Sequence, residues 1–305
     1  MKGYVEAQAL KAFLKAIEPL VSEVKLRVGP GGVSARAVDP SNVAMVVASI
    51  PRDGFEYFEN FDDEIVVGIN VDRLLNALKH AKKKEVVEVD LNDAKISLKI
   101  GALKYTMPTI DPESIRKEPS NVKAKFTTSV TFLNAKKLKE YVNLASKISD
   151  QITFSSDEDN FYIQAEGDVE KLKVTLNRSD YELSEFECES PARSKFSVIY
   201  VKDFLKIAND TSDTVTIKIG KNMPLFLKLN LAEDKVNVEY LLAPRIDYEF
   251  EKEFEEEEEE GTEESEESEE IEEGKGMSNE EFEEEESEEA KEIAENDENK
   301  KADFW

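Results

Sequence analysis

ALKAFLKAI (9–17), NVDRLLNAL (70–78), NAKKLKEYV (134–142) and YVKDFLKIA (200–208) are four versions of one amphipathic helix, recurring at roughly sixty residues as in a repeat architecture. Aligned, they place apolar residues at Leu10, Val71, Ala135 and Val201, then at Phe13, Leu74, Leu138 and Phe204, then at Ile17, Leu78, Val142 and Ala208. The i, i+3, i+7 spacing returns to one side of a helix, so each segment has one core-facing stripe. At i+4 stand Leu14, Leu75 and Leu205 but Lys139, so the third copy is read as turning its face slightly and using Tyr141 instead.

Each helix follows a short strand-like run and precedes alternating, β-branched segments. These are VKLRV, VSARAV and AMVVASI after the first helix, and VVEVDL, KISLKI and LKYTM after the second. ITFSS, FYIQAE and KLKVTLN follow the third, and TVTIKI, PLFLKL and KVNVEYL the fourth. Strict alternation marks half-buried strands, so four strand–helix–strands copies predict a pseudo-symmetric α+β protein. Between the second and third copies, PTIDPESIRKEPSNVKAK carries Pro108, Pro112 and Pro119 without periodicity and reads as a connector. The expected organisation is two similar domains at 1–108 and 126–250, joined by 109–125 and followed by a tail at 251–305.

The charge is divided along the same line. The chain is −28 overall, but 251–305 holds 29 acidic and 5 basic residues, leaving 39 acidic and 35 basic in 1–250. The tail is therefore expected to stay disordered, having too little apolar surface to offset the entropy of ordering. One cysteine, Cys188, excludes an internal disulfide framework, and the single histidine is His80. No segment has the apolar length of a membrane helix, which with the cysteine usage points to a soluble, unexported, intracellular protein.

Catalytic constellations do not emerge. Gly29-Pro30-Gly31-Gly32 lies between two strand runs, so it reads as a hairpin turn and not as a phosphate cradle. His80 falls on the polar side of its helix, and Cys188 is flanked by Glu187 and Glu189, which disfavour a thiolate. No catalytic residue, metal ligand or cofactor is expected. The polar faces of the four helices instead concentrate base: Lys11 and Lys15, then Arg73, Lys79 and Lys83, then Lys136, Lys139 and Lys147, then Lys202 and Lys206. Any one such face is ordinarily just solvated, but repeated on four equivalent helices of a net-acidic body it suits phosphates. Lysine without interleaved aromatics favours sequence-independent contact with the nucleic-acid backbone over base stacking.

Three segments carry a resemblance to a known family: GGVSARAVDPSNVAMV (Gly31–Val46), GINVDRLLNALKHAKKKEVV (Gly68–Val87) and YLLAPRI (Tyr240–Ile246). In this order and spacing the chain resembles the archaeal and eukaryotic DNA sliding clamps, the proliferating cell nuclear antigen family. The resemblance implies a head-to-tail trimeric ring with helices inside and sheets outside, acting as a processivity factor on double-stranded DNA. It implies that Lys11, Lys15, Arg73, Lys79, Lys83, Lys136, Lys139, Lys202 and Lys206 face the hole. It further implies a subunit contact between the strand with Leu103, Tyr105 and Met107 and a neighbour's strand with Lys171, Lys173 and Leu176. Partners would be DNA polymerase, a clamp loader, and replication and repair enzymes carrying clamp-binding peptides. Their peptides would sit in a pocket of Val38, Val43, Met45, Val122, Pro224, Leu241, Leu242, Ala243 and Pro244.

Two features depart from that pattern: a basic connector (Arg116, Lys117, Lys123, Lys125) and the acidic tail. The tail suggests a rival of another class, an acidic-tailed oligomeric chaperone or sequestering protein for basic partners.

Overall fold

A computed structural model describes residues 1–59, 63–92, 94–119, 124–208 and 213–245. The tail expectation, Val122 and Lys123 lie outside the described residues. The elements follow the fourfold pattern. Copy one is β1 (Lys2–Glu6), α1 (Ala7–Ile17), β2 (Glu23–Gly29), β3 (Gly32–Val38) and β4 (Ala44–Pro51), with a short β5 (Tyr57–Phe58). Copy two is β6 (Ile65–Asn70), α2 (Val71–Leu78), β7 (Val86–Leu91), β8 (Lys95–Ile100) and β9 (Leu103–Pro108). Copy three is β10 (Thr128–Phe132), α3 (Ala135–Ile148), β11 (Gln151–Ser156), β12 (Asn160–Glu166) and β13 (Lys171–Asn177), followed by β14 (Leu183–Cys188). Copy four is β15 (Ala192–Ser197), α4 (Val198–Leu205), β16 (Thr214–Ile219), β17 (Leu225–Leu231) and β18 (Val236–Leu242).

Helix starts are fixed by copies in pairs. The Ala7 N–H donates to Glu85 O at 2.8 Å and the Ala135 N–H to Asp213 O at 2.8 Å, while Val71 donates to Ser22 O at 2.8 Å and Val198 to Asp150 O at 3.0 Å. Each bond satisfies an N–H that a helix leaves without an intrahelical partner. Counted from these anchors, the register of the repeat differs from the one read from sequence. Ala7, Val71, Ala135 and Val198 are equivalent, so copies one and four had been aligned three residues late. A three-residue slip rotates a helical face by only about 60°, which a broad apolar stripe absorbs. The i+4 residues then become Lys11, Leu75, Lys139 and Lys202. Lys139 is thus the counterpart of Lys11, and the third copy does not slip.

The strands form three antiparallel sheets. One has nine strands in the order β14-β10-β16-β17-β18-β4-β3-β2-β6, one has five, β5-β1-β7-β8-β9, and one has four, β13-β12-β11-β15. The nine-stranded sheet crosses between the halves where β18 pairs with β4, from Asn237↔Ser49 to Leu242↔Ala44. Alternation along each strand sends one set of side chains beneath the helices: Val46, Tyr240, Leu227, Ile217 and Val130 form one buried row across five neighbouring strands. α1 packs on α2 and α3 on α4, with α1 also lying on β4 and β18. Tyr240 ties the seam: its buried hydroxyl donates to Ala16 O of α1 at 2.8 Å, and its ring stacks on Phe204 of α4 at 4.0 Å. With no water to solvate a phenolate there, burial pushes its pKa above the ordinary tyrosine value.

The connector is stitched to the outer side of the sheet. Ile110 exchanges backbone bonds with Gly68 on β6 at 2.9 and 2.8 Å, and Glu118 takes a bidentate grip from Arg27 on β2, with Nε at 3.1 Å and Nη2 at 2.9 Å. Pro119 O then accepts from Arg36 on β3 at 3.4 Å. A side chain at Gly68 would put its Cβ 2.6 Å from Ile110 O and 2.8 Å from Ile110 Cβ, so only glycine admits the crossing.

Candidate functional site

Three surfaces gather the residues singled out in the sequence. Lys15, Arg73, Lys136 and Lys147 on the helices, and Lys79, Lys83 and Lys206 just past the ends of α2 and α4, are exposed. Lys206 pairs with Asp203 at 2.5 Å, and Lys202, half-buried, donates to Ser146 Oγ at 3.2 Å. Lys11 and Lys139 behave differently. Lys11 Nζ donates to Ala81 O at 2.6 Å, just beyond the end of α2, and Lys139 Nζ donates to Lys206 O at 3.1 Å and Ala208 O at 3.2 Å, just beyond α4. Each ammonium therefore caps carbonyls at a helix C-terminus, where the dipole favours a cation. Burial, followed by the charge of a neighbouring lysine, pushes both pKa values below the ordinary lysine value: Lys15 acts on Lys11, and Lys136 acts on Lys139. Lys15 also acts on Lys139, so the basic surface of α1 runs on into that of α3. A groove of about 150 Å³ there is lined by Lys11, Lys15, Lys83, Ile207 and Asp213.

The second surface is on the sheet face away from the helices. The register places Val38, Met45, Leu241 and Phe226 in one row across β3, β4, β18 and β17. Val43, Pro224, Ala243 and Pro244 are half-buried near its ends, and Ala243 N–H donates to Val43 O at 2.9 Å. Leu242 is corrected: with 1% exposure it points the other way, into the core with Ala44 and Leu225, because strand neighbours alternate faces. Phe226 was missed, as was Phe126, whose ring lies 5.8 Å from it. The available signal was a phenylalanine on the otherwise polar face of LFLKLNL.

The loop beside this row is held by hydrogen bonds to Asp39. Asp39, nearly buried, accepts N–H bonds from Val43 and Ala44, both at 2.8 Å, from Ser41 at 3.2 Å, and the Tyr200 hydroxyl of α4 at 2.9 Å. Desolvation works to raise its pKa, but these bonds outweigh it and hold the carboxyl below the ordinary aspartate value. From the connector, Arg116 donates to Asp39 O at 2.9 Å and Asn42 Oδ1 at 2.6 Å.

The third surface is a pair of open strand edges, β9 on the five-stranded sheet and β13 on the four-stranded one. On β9, Leu103 is 52% exposed and Tyr105 half-buried, whereas Met107 is in the core. On β13 the core-facing row is Leu172, Val174 and Leu176, of which Leu176 is buried and the other two half-covered. Lys171 and Lys173 lie on the opposite face, Lys171 paired with Glu166 and Lys173 Nζ 4.7 Å from the Tyr162 ring. Leu172 and Val174 are thus the apolar edge residues that the sequence reading passed over.

Elsewhere, Pro30 and Gly31 form the tight β2–β3 turn, closed by the Gly29↔Gly32 pair. His80 is exposed just past α2, and Cys188 is half-buried with Thr128 Oγ1 at 3.5 Å. Among the described residues, no cluster of His, Cys, Asp or Glu could hold a metal ion, and no helix is long and apolar enough to cross a membrane.

Residues 2–104 match the family profile described as proliferating cell nuclear antigen, N-terminal domain, and 122–245 the one described as proliferating cell nuclear antigen, C-terminal domain. The DNA polymerase sliding clamp of Archaeoglobus fulgidus is 39% identical over 243 residues, covering 79% of this chain and 97% of that one. The DNA polymerase sliding clamp of Methanocella arvoryzae is 36% identical over 250 residues, covering 81% and 99%. Among solved structures, A. fulgidus PCNA bound to the C-terminal region of FEN-1 aligns with a TM-score of 0.76 at 38% identity, covering 81% of this chain and 98% of that one. PCNA from Thermococcus kodakaraensis aligns with a TM-score of 0.71 at 25% identity, covering 80% and 99%. With both halves of the repeat accounted for in order, the chain belongs to the proliferating cell nuclear antigen family of DNA polymerase sliding clamps.

Proposed function

We propose that this chain is one subunit of a closed trimeric ring that encircles duplex DNA and tethers DNA polymerase and other replication and repair proteins. The observation that carries the reading is the strand-by-strand equivalence of the sheets. Within the chain, β14-β10-β16-β17-β18 joins β4-β3-β2-β6 to make nine strands. The remaining sheets, β5-β1-β7-β8-β9 and β13-β12-β11-β15, are the same two pieces in the other half, each ending on the strand equivalent to β18 or β4. An open edge is a template for pairing. Joining β9 of one subunit to β13 of the next repeats the junction that the chain already makes internally. Such a head-to-tail contact closes into a ring when its rotation permits, with Leu103 and Tyr105 packing against Leu172 and Val174.

The domains in this reading are 1–108 and 126–250, joined by the connector 109–125, with the acidic tail at 251–305. Lys15, Arg73, Lys79, Lys83, Lys136, Lys202 and Lys206 exchange among phosphates, and Lys11 and Lys139 set the helices that carry them. Contacts to phosphate hold the duplex without fixing register, so the ring slides. Tethering then gives polymerase a high effective concentration at the primer end. The row Val38, Met45, Leu241 and Phe226 docks the apolar anchors of partner peptides. The protein works inside the cell, at chromosomal DNA, and contributes no bond-making chemistry itself.

The test is topological. Loaded by a clamp loader onto nicked circular DNA, the protein is expected to stay bound through gel filtration at high salt and to be lost when that DNA is linearised. Equal retention on both forms would contradict encirclement.

A further inference from the structure

The docking row has a mainly basic surround. Lys218 on β16 stands opposite Phe226, and Lys228 on β17 and Arg36 on β3 lie two residues along from members of the row. The connector brackets the row, with Arg116 and Lys117 at the β3 end and Lys125, next to Phe126, at the β17 end. Arg116 donates to the backbone oxygen of Asp39 and the amide oxygen of Asn42, and among the described residues it forms no ion pair. Lys117 and Lys125 are exposed. The nearby carboxylates are largely committed elsewhere: Glu118 is held by Arg27, and Asp39 faces inward onto its own loop and Tyr200. Glu239 stands beside Lys228 in register, and the row continues past Lys218 through Ser129 to the exposed Glu187, two strands from Lys218 and three from Phe226.

From this charge complementarity we propose that the surface selects partner peptides whose apolar anchors are flanked by aspartate or glutamate. The inference rests on the docking reading above and adds the chemistry of the partner. Charges at the rim of a contact act through screened Coulomb attraction, so they favour one class of ligand and speed its encounter, while the apolar row supplies the anchor.

The experiment uses the full-length chain and two fluorescent peptides built on the C-terminal region of A. fulgidus FEN-1. The residues flanking the apolar anchors are replaced by glutamate in one peptide and by lysine in the other. Anisotropy titration at low salt is expected to show the glutamate peptide binding about fivefold more tightly or better, an advantage that shrinks as salt is added. Lys117→Glu with Lys125→Glu is expected to erase or reverse it. The acidic tail attracts the lysine peptide and repels the glutamate one, so it works against the expected preference and cannot create it. Equal affinity, or preference for the lysine peptide, overturns the charge inference while leaving docking intact. Binding of both peptides that survives Phe226→Asp, or no binding of either, overturns the docking reading itself.

Discussion

At the residue scale, the lysines divide by what their ammonium groups touch. Lys11 and Lys139 sit at equivalent positions and bond to carbonyls beyond α2 and α4, whereas Lys15 and Lys136 reach solvent. Lys139→Met is therefore expected to lower stability by about 1 kcal/mol in thermal melting, with little effect on the salt dependence of DNA retention. Lys136→Met is expected to leave melting unchanged and reduce the slope of log K against log salt by about 0.9. Asp39 gives a pH signature. Its folded pKa is held low, so its contribution is complete above the ordinary aspartate value of about 3.9 and is lost as pH falls through the lower folded value. Tyr200→Phe removes one bond to that carboxylate, and its destabilisation, about 1 kcal/mol at neutral pH, should shrink in acid melts. A pH-independent loss would mean that the hydroxyl acts through something other than the charged carboxylate. The family resemblance supplied Val38, Met45 and Leu241 of the apolar row but assigned Leu242 to the wrong face. Only strand register decides which of two adjacent leucines turns outward.

At the element scale, the four helices and the strands that follow them were legible because period 3.6 and period 2 leave different marks. The starting points of α1 and α4 were not, since apolar stripes are wide and the bonds that set the register come from another copy: Glu85 O for α1, Asp150 O for α4. The connector was recognised from its prolines, but its path was invisible. It depends on Arg27, Arg36 and Gly68, which the chain supplies from two different strand runs and a third before α2. Gly68→Ala should accordingly push Ile110, together with Ile115 whose Cδ1 the new methyl would also meet, away from β6, costing roughly 1–3 kcal/mol in denaturant titration. Protease cleavage within 109–119 should become faster at the same time. Unchanged cleavage would show that the Gly68 crossing does not hold the connector.

At the scale of the whole molecule, the pairing of β18 with β4 could not be read from sequence, because any alternating strand offers the same backbone edge. Once it is known, it explains why the chain is left with one five-stranded and one four-stranded sheet, each a copy of half the nine-stranded one. It also explains why Leu172 and Val174 are apolar on an edge that carries Lys171 and Lys173 on its other face. An arginine at Val174 would place an unpaired charge in the proposed junction and is expected to give monomers with an unaltered fold. The measurement that bears most directly on the account is the mass of the intact chain in solution by sedimentation equilibrium. A ring built through β9 and β13 predicts three times the 34.5 kDa subunit mass, reduced to the subunit mass by Val174→Arg. A wild-type chain that remains at the mass of one subunit at micromolar concentration would contradict it.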